Sequence, residues 1–264
     1  MSSAPGLRVE GVCFDYGGAG VLQNVRFRLA EGEFATLLGP SGCGKSTLLR
    51  LIAGLEQPLT GSVEWHGLPI EGPSIERSVV FQDYALFPWL DIRDNVALAA
   101  RKAEPALKRS EARERASELL SRVGLAEAAR KYPFELSGGM RQRGALARSL
   151  ATGAQVLLLD EPFGALDPLN RARLQDLLLD VWQSASPRKT FLFVTHDIDE
   201  ALYLGDRIIV LGAAPGHVIA DRRIAFERPR PRAELFSDQR FIALREQIAG
   251  AMSAETLAVI EAAT

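Results

Sequence analysis

The amino-acid sequence predicts an α/β fold with three parts: a parallel-sheet core, an antiparallel β layer before it and a helical segment inserted within it. Near the N-terminus, residues 7–13 alternate between two faces, which is typical of a half-buried antiparallel strand. The face expected to be buried consists of Leu7, Val9, Gly11 and Cys13. Later apolar runs, each bounded by helical patterns, favour parallel strands joined by crossover helices. These runs are residues 155–159, Thr190–Thr195 and Arg207–Leu211.

The remaining elements follow from local patterns in chain order. Residues 33–38, which are mostly apolar and run straight into a glycine-rich turn, predict a buried strand, and helical spacing begins at Lys45 and stops at Gly54. The charged, alanine-rich stretch 92–130 has helical spacing. Short strands are predicted at residues 25–29, 62–65 and 78–81. A Pro/Arg run and an amphipathic helix over residues 234–262 complete the chain.

Length and composition limit the domain organisation. A chain of 264 residues is long enough for one large domain with a subdomain, or for two small domains. We expect a main domain over residues 1–225 that contains a helical subdomain near 85–145. A Pro/Arg connector and helical tail would then occupy residues 226–264. Hydrophobic residues make up 47% and charged residues 24%, which is ordinary for a globular protein.

Charge and cysteine content exclude two classes of protein. The formal net charge is −2, so the chain has no net basic field and we expect no nucleic-acid partner. Two cysteines, Cys13 and Cys43, cannot build a disulfide framework. The N-terminal residues lack the pattern of a signal peptide, and the uncharged run 208–220 is shorter than the roughly 20 residues of a membrane span. We therefore expect a cytoplasmic protein that reaches a membrane through a partner.

Residues 39–47 match the glycine-rich P-loop (Walker A) pattern, with a predicted strand before them and a predicted helix after them. Glycines let successive backbone N–H groups face phosphate oxygens, and a helix N-terminus adds its positive dipole end. We expect Lys45 to reach the β- and γ-phosphates and the Ser46 hydroxyl to bind Mg²⁺. This phosphate loop consists of Gly39, Pro40, Ser41, Gly42, Cys43, Gly44, Lys45, Ser46 and Thr47.

A second apolar strand ends in the acidic pair Asp160 and Glu161. In open α/β sheets, ligands bind at the carboxyl ends of parallel strands. Asp160 is placed to hold Mg²⁺ through water, whereas Glu161 suits a general base that activates the attacking water. The pair would be a weak signal by itself, but it gains weight beside a phosphate loop.

Residues 136–143, LSGGMRQR, resemble the signature of ATP-binding cassette (ABC) ATPases, and we call them the signature segment. The chain departs slightly from the pattern, because Met140 replaces the usual glutamine and Gly144 stands where an aliphatic residue is more usual. Other motifs of the family follow in its order between about residues 7 and 211. They resemble the adenine-stacking aromatic at Tyr16, the Q-loop at Gln82, the D-loop at Asp167 and the switch histidine at His196.

The resemblance implies an ABC-type P-loop NTPase with a RecA-like core, working as a homodimer with two ATP molecules between its subunits. Ser137, Gly138 and Gly139 of one copy would meet the ATP held by the phosphate loop of the other. His196 would contact the γ-phosphate, and Gln82 would touch Mg²⁺ or the attacking water. An integral-membrane permease would dock on the apolar residues that follow. These are Ala85, Leu86, Phe87, Trp89 and Leu90.

Three less specific motifs resemble those of the ATPases that drive nitrate, sulfonate, taurine and bicarbonate uptake. They are FPWL at residues 87–90, AAPGH at 213–217 and the RPRPR run at 228–232. The expected function is therefore the motor of a binding-protein-dependent importer for a small anion, peripheral on the cytoplasmic side of the inner membrane. A solute-binding protein would be an indirect partner. An exporter ATPase is the alternative. A DNA-repair or chromosome-organising ABC ATPase would carry a long coiled-coil or zinc insert, and a translation-associated one would carry two cassettes.

Overall fold

The structure, a computed structural model, describes residues 6–18, 20–164 and 166–262. Its strands are β1 (Leu7–Asp15), β2 (Gly20–Leu29), β3 (Phe34–Leu38), β4 (Thr60–Trp65), β5 (Leu68–Pro69), β6 (Arg77–Val80), β7 (Val156–Asp160), β8 (Thr190–Thr195), β9 (Arg207–Leu211) and β10 (Val218–Arg223). Its α-helices are α1 (Lys45–Ala53), α2 (Ile92–Ala103), α3 (Arg109–Arg122), α4 (Gly138–Ala151), α5 (Pro168–Gln183), α6 (Ile198–Leu204), α7 (Arg232–Ser237) and α8 (Gln239–Ala262). Parallel and antiparallel strands occur together with helices, so the predicted α/β class is confirmed.

The chain divides into two units. The first comprises the described parts of Met1–Pro73 and Thr190–Thr264, and the second is Ser74–Lys189. The first unit therefore contains the phosphate loop, whereas the second contains helices α2 to α5. The domain boundaries expected from the sequence, after residue 225 and near 85–145, stay a prediction.

The antiparallel layer of the first unit has the strand order β2–β1–β4–β5. The predicted alternation in β1 is correct for Leu7 and Val9 but wrong beyond them. Val12 and Phe14 are buried, whereas the intervening positions are only partly covered. The register shifts after Val9, where Gly11 has a φ of +64°. This bulge moves the following side chains to the opposite face, which strict alternation does not foresee.

A second sheet of the first unit has the order β10–β9–β3–β8. Strands β9, β3 and β8 are parallel, and β10 is antiparallel to β9. All five residues of β3 are buried, as the buried strand predicted over residues 33–38 requires. Leu38 at the end of β3 pairs with Thr195 at the end of β8. The phosphate loop and His196 therefore leave this sheet at the same edge.

The second unit contains the parallel pair β6 and β7, in which Val80 pairs with Leu159. Gln82 follows the end of β6, while Asp160 and Glu161 stand at the end of β7. Because the strands are parallel, these three polar residues lie at one edge of the pair. The stretch predicted to be helical from residue 92 forms helices α2 and α3.

Candidate functional site

The phosphate loop adopts a conformation that requires glycine at several positions. Gly42 and Gly44 have φ values of +80° and +92°, in the left-handed region that other residues rarely adopt. At Gly39, a Cβ atom would lie 2.7 Å from the Cys43 sulfur and 2.9 Å from the Leu211 carbonyl oxygen. Helix α1 begins directly after Gly44, its N-cap residue, which has no side chain to cap the first turn. Its N-terminal N–H groups therefore suit a phosphate.

Lys45 is held inside this loop. Its Nζ donates hydrogen bonds to the carbonyl oxygens of Gly39 and Pro40, at 2.8 and 2.9 Å, and the residue is 5% exposed. The ammonium is thus drawn toward the residues that begin the loop. Ser46, the next residue, is exposed, as a hydroxyl that binds a metal ion must be. Both residues fit the chemistry of a nucleotide with its cation.

A neighbouring turn supports the loop from behind. Gly216 donates its N–H to the Val21 carbonyl oxygen and accepts one from the Gln23 N–H, at 2.8 and 2.9 Å. A Cβ atom on Gly216 would lie 2.0 Å from the carbonyl oxygen of Cys43. Cys43 itself is 1% exposed. The AAPGH run noted in the sequence therefore packs against the phosphate loop, where a larger residue would displace it.

The other two candidate residues of the first unit are exposed. Tyr16 is 53% exposed and its ring meets Phe14 edge-on, with centroids 4.8 Å apart. A supported and accessible ring of this kind can stack on a base. His196 follows β8 and is also exposed.

Backbone and side-chain bonds fix the residues on both sides of His196. The Thr195 hydroxyl accepts the Asp197 N–H at 3.0 Å and donates to the Glu200 carboxylate. Asp197 caps the N-terminus of α6 by accepting the Glu200 N–H, also at 3.0 Å. The histidine therefore projects from a tightly bonded strand-to-helix turn.

The acidic pair of the second unit has an unusual backbone. Glu161 has a φ of +43°, which costs energy for a residue other than glycine. Such strain is common where a side chain is aimed by the surrounding structure. Asp160 and Glu161 are both partly exposed, and Gln82 is exposed. All three are accessible to a ligand, as the predicted roles require.

The signature segment leads into helix α4. Ser137 is the N-cap of this helix, and its hydroxyl oxygen accepts the Met140 N–H at 3.3 Å. Apart from the adjacent residues and the backbone of its own helix, no atom among the described residues lies within 4 Å of a Cβ built on Gly138, so the backbone here is open to a ligand. A cavity of about 550 Å³ adjoins these residues. Its lining includes Ser137, Gly138, Gly139, Arg143, Asp167 and Asn170.

Asp167 caps helix α5. Its carboxylate accepts hydrogen bonds from the Asn170 backbone N–H at 3.1 Å and from the Asn170 side-chain amide at 2.6 Å. The backbone hydrogen bond and then the amide hydrogen bond lower the pKa of Asp167. The carboxylate therefore stays charged at neutral pH and keeps the turn before α5 in place.

The segment 85–90, which we call the docking segment, presents an exposed aromatic surface. Trp89 is 70% exposed and Phe87 is 36% exposed, with ring centroids 5.3 Å apart. Asn95, which is fully buried, accepts the Phe87 N–H at 2.8 Å. Its amide donates to the carbonyl oxygens of Phe87, Leu90 and Asp91 at 3.0–3.1 Å. The aromatic surface is thus built on a fixed turn.

Sequence reasoning missed both Asn95 and Arg148, which hold this turn. Arg148 on α4 donates to the carbonyl oxygens of Tyr84 and Ala85 and lies over the Phe87 ring at 5.9 Å. Burial lowers the pKa of its guanidinium. Helix α4 therefore connects the signature segment at its start with the docking segment near its end. Neither residue belongs to a local motif, so a single sequence carries no signal for them.

The predicted site residues fall into two groups. Tyr16, the phosphate loop and His196 belong to the first unit. The second unit contains Gln82, Ser137, Gly138, Gly139, Asp160, Glu161 and Asp167. Of the helices described, none is long and apolar enough to cross a membrane.

Comparison with known proteins shows the family. The ABC transporter profile matches residues 22–164. The nitrate import ATP-binding protein NrtD of Synechococcus elongatus is 47% identical over 227 residues, which cover 86% of this chain and 82% of NrtD. The taurine import ATP-binding protein TauB of Chromobacterium violaceum is also 47% identical, with 86% and 87% covered. The aliphatic sulfonates import ATP-binding protein SsuB of Bacillus subtilis is 47% identical, with 80% of each chain covered.

A solved structure agrees. The dimeric structure of a post-hydrolysis state of an ATP-binding cassette, bound to ADP and Pi, matches with a TM-score of 0.73 and 32% identity. The match covers 84% of this chain and 100% of that one. The fold and the motifs define a P-loop ATPase of the cassette type. The chain belongs to the ABC transporter family. Within a transporter it is the subunit that binds and hydrolyses ATP. The import relatives support the predicted importer over the exporter alternative.

Proposed function

We propose that this chain is the motor ATPase of an importer for a small anion such as nitrate, taurine or an alkanesulfonate. The observation that carries the proposal is the 47% identity to import ATP-binding proteins named for these three solutes. All three solutes carry a compact anionic group. Within such a system the membrane subunits and the binding protein select the solute, and this chain supplies the energy of ATP.

The predicted site residues would divide the binding and cleavage of ATP among them. Tyr16 stacks on adenine, the phosphate loop binds the phosphates and Lys45 neutralises the β- and γ-phosphate charge. Ser46, Gln82 and Asp160 offer the oxygen ligands that Mg²⁺ prefers, and they are partly or fully exposed. When bound, Mg²⁺ supplies charge stabilisation at the phosphate oxygens.

Hydrolysis then needs a base and a group that contacts the γ-phosphate. Glu161 accepts the proton of the attacking water as the general base. His196 contacts the γ-phosphate from its bonded turn, and Gln82 helps to orient the water. Most of the rate enhancement comes from positioning and charge, as is general for phosphoryl transfer.

A second copy of the chain completes the site. Its Ser137 hydroxyl and the N–H groups of Gly138 and Gly139 bind the γ-phosphate at the N-terminus of α4, where the helix dipole is positive. Asp167 keeps the turn before α5 in position beside them. The related cassette whose solved structure is dimeric supports this arrangement. ATP therefore joins the two subunits, and cleavage of its γ-phosphate releases them.

An integral-membrane permease docks on the docking segment and keeps the ATPase peripheral on the cytoplasmic side of the cell membrane. The exposed Phe87 and Trp89 rings offer an apolar surface for a helix of the permease. The binding protein is then an indirect partner on the far side of the membrane. Arg148 transmits movement of α4 to this surface through the Tyr84 and Ala85 carbonyl groups.

Uptake by the complete transporter tests the function. The chain is produced together with its permease and binding protein, and MgATP-dependent uptake of nitrate, taurine and a short alkanesulfonate is measured in inverted and right-side-out vesicles. We expect uptake of at least one anion, directed toward the side that carries this chain. Movement in the opposite direction, or transport of none of the three, contradicts the proposal.

Trp89→Asp is expected to uncouple ATP hydrolysis from transport. A charge on the docking surface would have to be desolvated against the permease, which opposes association. We expect ATP binding to be unchanged, whereas co-purification with the permease and uptake are both lost. Leu68→Asp is the matched control, because Leu68 is also 70% exposed but lies in the antiparallel layer. Normal uptake by Trp89→Asp would place the permease elsewhere.

A further inference from the structure

The Pro/Arg run near the C-terminus binds the end of helix α6. Arg230 Nη1 donates to the carbonyl oxygens of Leu202, Tyr203 and Gly205 at 3.1, 3.1 and 2.6 Å. Arg228 donates to the Leu204 carbonyl oxygen. The carbonyl groups of four consecutive residues at the end of α6 are thus bound by two arginines of the tail. We call this set of contacts the α6 cap.

Arg230 is built into the fold. Its side chain is 2% exposed, and its Nε and Nη2 donate to the Phe226 carbonyl oxygen at 3.0 and 2.9 Å. Burial, and then the nearby charge of Arg228, lower the pKa of Arg230 to about 10, so the guanidinium remains charged at neutral pH. A buried charge is costly unless it is fully hydrogen-bonded. The contacts to α6 and Phe226 supply those hydrogen bonds.

Helix α6 is short and connects this cap to the turn that bears His196. The helix spans seven residues, too few to be stable without tertiary contacts. At its start, Thr195, Asp197 and Glu200 are joined by hydrogen bonds around the histidine. In its middle, the buried Thr36 hydroxyl on β3 donates to the Ala201 carbonyl oxygen at 3.3 Å. The position of the histidine backbone therefore depends on what holds α6.

Two further contacts join the tail to α6. Arg232 lies over the Tyr203 ring, with its guanidinium carbon 3.9 Å from the ring centroid. Arg245 on α8 approaches Asp199 at 3.6 Å. The tail thus contacts α6 from its first turn to its last. Arg230 contributes three hydrogen bonds to carbonyl groups at the end of α6.

We propose that Arg230 is a positioning residue for the ATPase reaction, which acts through helix α6 by fixing where His196 meets the γ-phosphate. The proposal rests on the role of His196 given under the proposed function. Removal of the guanidinium takes its hydrogen bonds from the Leu202, Tyr203 and Gly205 carbonyl groups and frees the helix to shift along its axis. A shift of about 1 Å at a catalytic group can cost up to about 10²-fold in rate. ATP binding depends on the phosphate loop and is expected to stay unchanged.

A double-mutant cycle in the full-length chain tests this. We measure kcat and KM for ATP in the wild-type chain, Arg230→Met, His196→Ala and the double variant, and we follow thermal unfolding of each. Methionine keeps much of the side-chain length but donates no hydrogen bond. We expect Arg230→Met to lower kcat about tenfold with KM changed less than about twofold. In the His196→Ala background, Arg230→Met should change kcat by less than about twofold, because the two residues act as a unit.

Arg240→Met is the matched control. This arginine also belongs to the tail, but its side chain is 77% exposed and it pairs with Asp238 on the tail itself. We expect a wild-type kcat. If Arg230→Met does not fold, the cycle is repeated with Arg230→Lys, since one ammonium cannot reach both Phe226 and the α6 carbonyl groups. A kcat loss of about threefold is expected for Arg230→Lys.

The outcomes separate this proposal from the one on which it rests. Three results would overturn the role of Arg230. The Arg230 variant could show a wild-type kcat, or a change in KM without a change in kcat. The third result is a double variant whose loss in kcat equals the product of the two single losses. A wild-type kcat in His196→Ala instead contradicts the assignment of the histidine. Both proposals are supported if the kcat of the double variant is no lower than that of His196→Ala alone.

Discussion

Glu161→Gln is expected to lower the rate of ATP hydrolysis by about 10²–10⁴-fold, the usual contribution of a general base. The amide keeps the size of the side chain and can still hydrogen-bond to water, but it cannot take a proton. The backbone at this position has a φ of +43°, and glutamine must adopt the same strained conformation as glutamate. The change therefore tests the carboxylate chemistry more than the fold. Steady-state turnover at saturating MgATP measures it.

The same variant should accumulate as a dimer. Lys45, Ser46 and Asp160 are unchanged, so ATP binds but is not cleaved. The γ-phosphate then remains bound to Ser137 of the second copy, and the two subunits stay associated. Size-exclusion chromatography with and without MgATP measures this association.

Glu118→Gln is the control for the loss of one negative charge, because Glu118 is exposed on helix α3 of the same unit. We expect Glu118→Gln to hydrolyse ATP at the wild-type rate and not to accumulate as a dimer when MgATP is added. Normal hydrolysis by Glu161→Gln would remove Glu161 as the base. An inactive variant that stays monomeric with ATP would contradict the two-subunit site.

The sequence predicts the site best where one local pattern carries both the fold and the chemistry. An apolar run followed by glycines predicts a buried strand before the phosphate loop, and β3 indeed ends at Leu38, directly before Gly39. The run before the acidic pair likewise becomes β7, which ends at Asp160. A few consecutive apolar residues indicate a buried strand, and the first polar or glycine residues after them indicate where the strand ends. For this reason the ends of β3 and β7, where we expect the chemistry, were predictable from the sequence.

Contacts between distant parts of the chain were not predictable in this way. Arg230 binds carbonyl groups that lie 25 to 28 residues earlier, and the RPRPR run does not indicate which groups those are. Arg148 binds the Ala85 and Tyr84 carbonyl groups, which lie 63 and 64 residues earlier. The bulge at Gly11 is also hidden, because glycine is compatible with either face of a strand. A bulge is an extra residue relative to the partner strand, so an alternating pattern in one strand does not locate it.

Lys45→Ala is expected to weaken ATP binding by about 10²-fold or more, the largest binding effect among the variants considered. Lys45 places its ammonium inside the phosphate loop, where it is 5% exposed. Charged hydrogen bonds to phosphate contribute about 1.5–3 kcal/mol each, and one ammonium can make several. Equilibrium binding of a fluorescent ATP analogue, with unlabelled ATP as competitor, measures the change in Kd.

Loss of the lysine also removes its hydrogen bonds to the Gly39 and Pro40 carbonyl oxygens, so the loop itself could change. Lys189→Ala separates the two effects, because Lys189 also donates to a backbone carbonyl, that of Ala154, but lies outside the loop. We expect Lys189→Ala to lower the unfolding temperature and to leave Kd unchanged. Lys45→Ala should raise the Kd for ATP strongly, even if the two variants lower the unfolding temperature equally. Equal Kd values for wild type and Lys45→Ala would contradict the phosphate-binding role of the loop, whereas equal losses in both variants would reduce Lys45 to a structural residue.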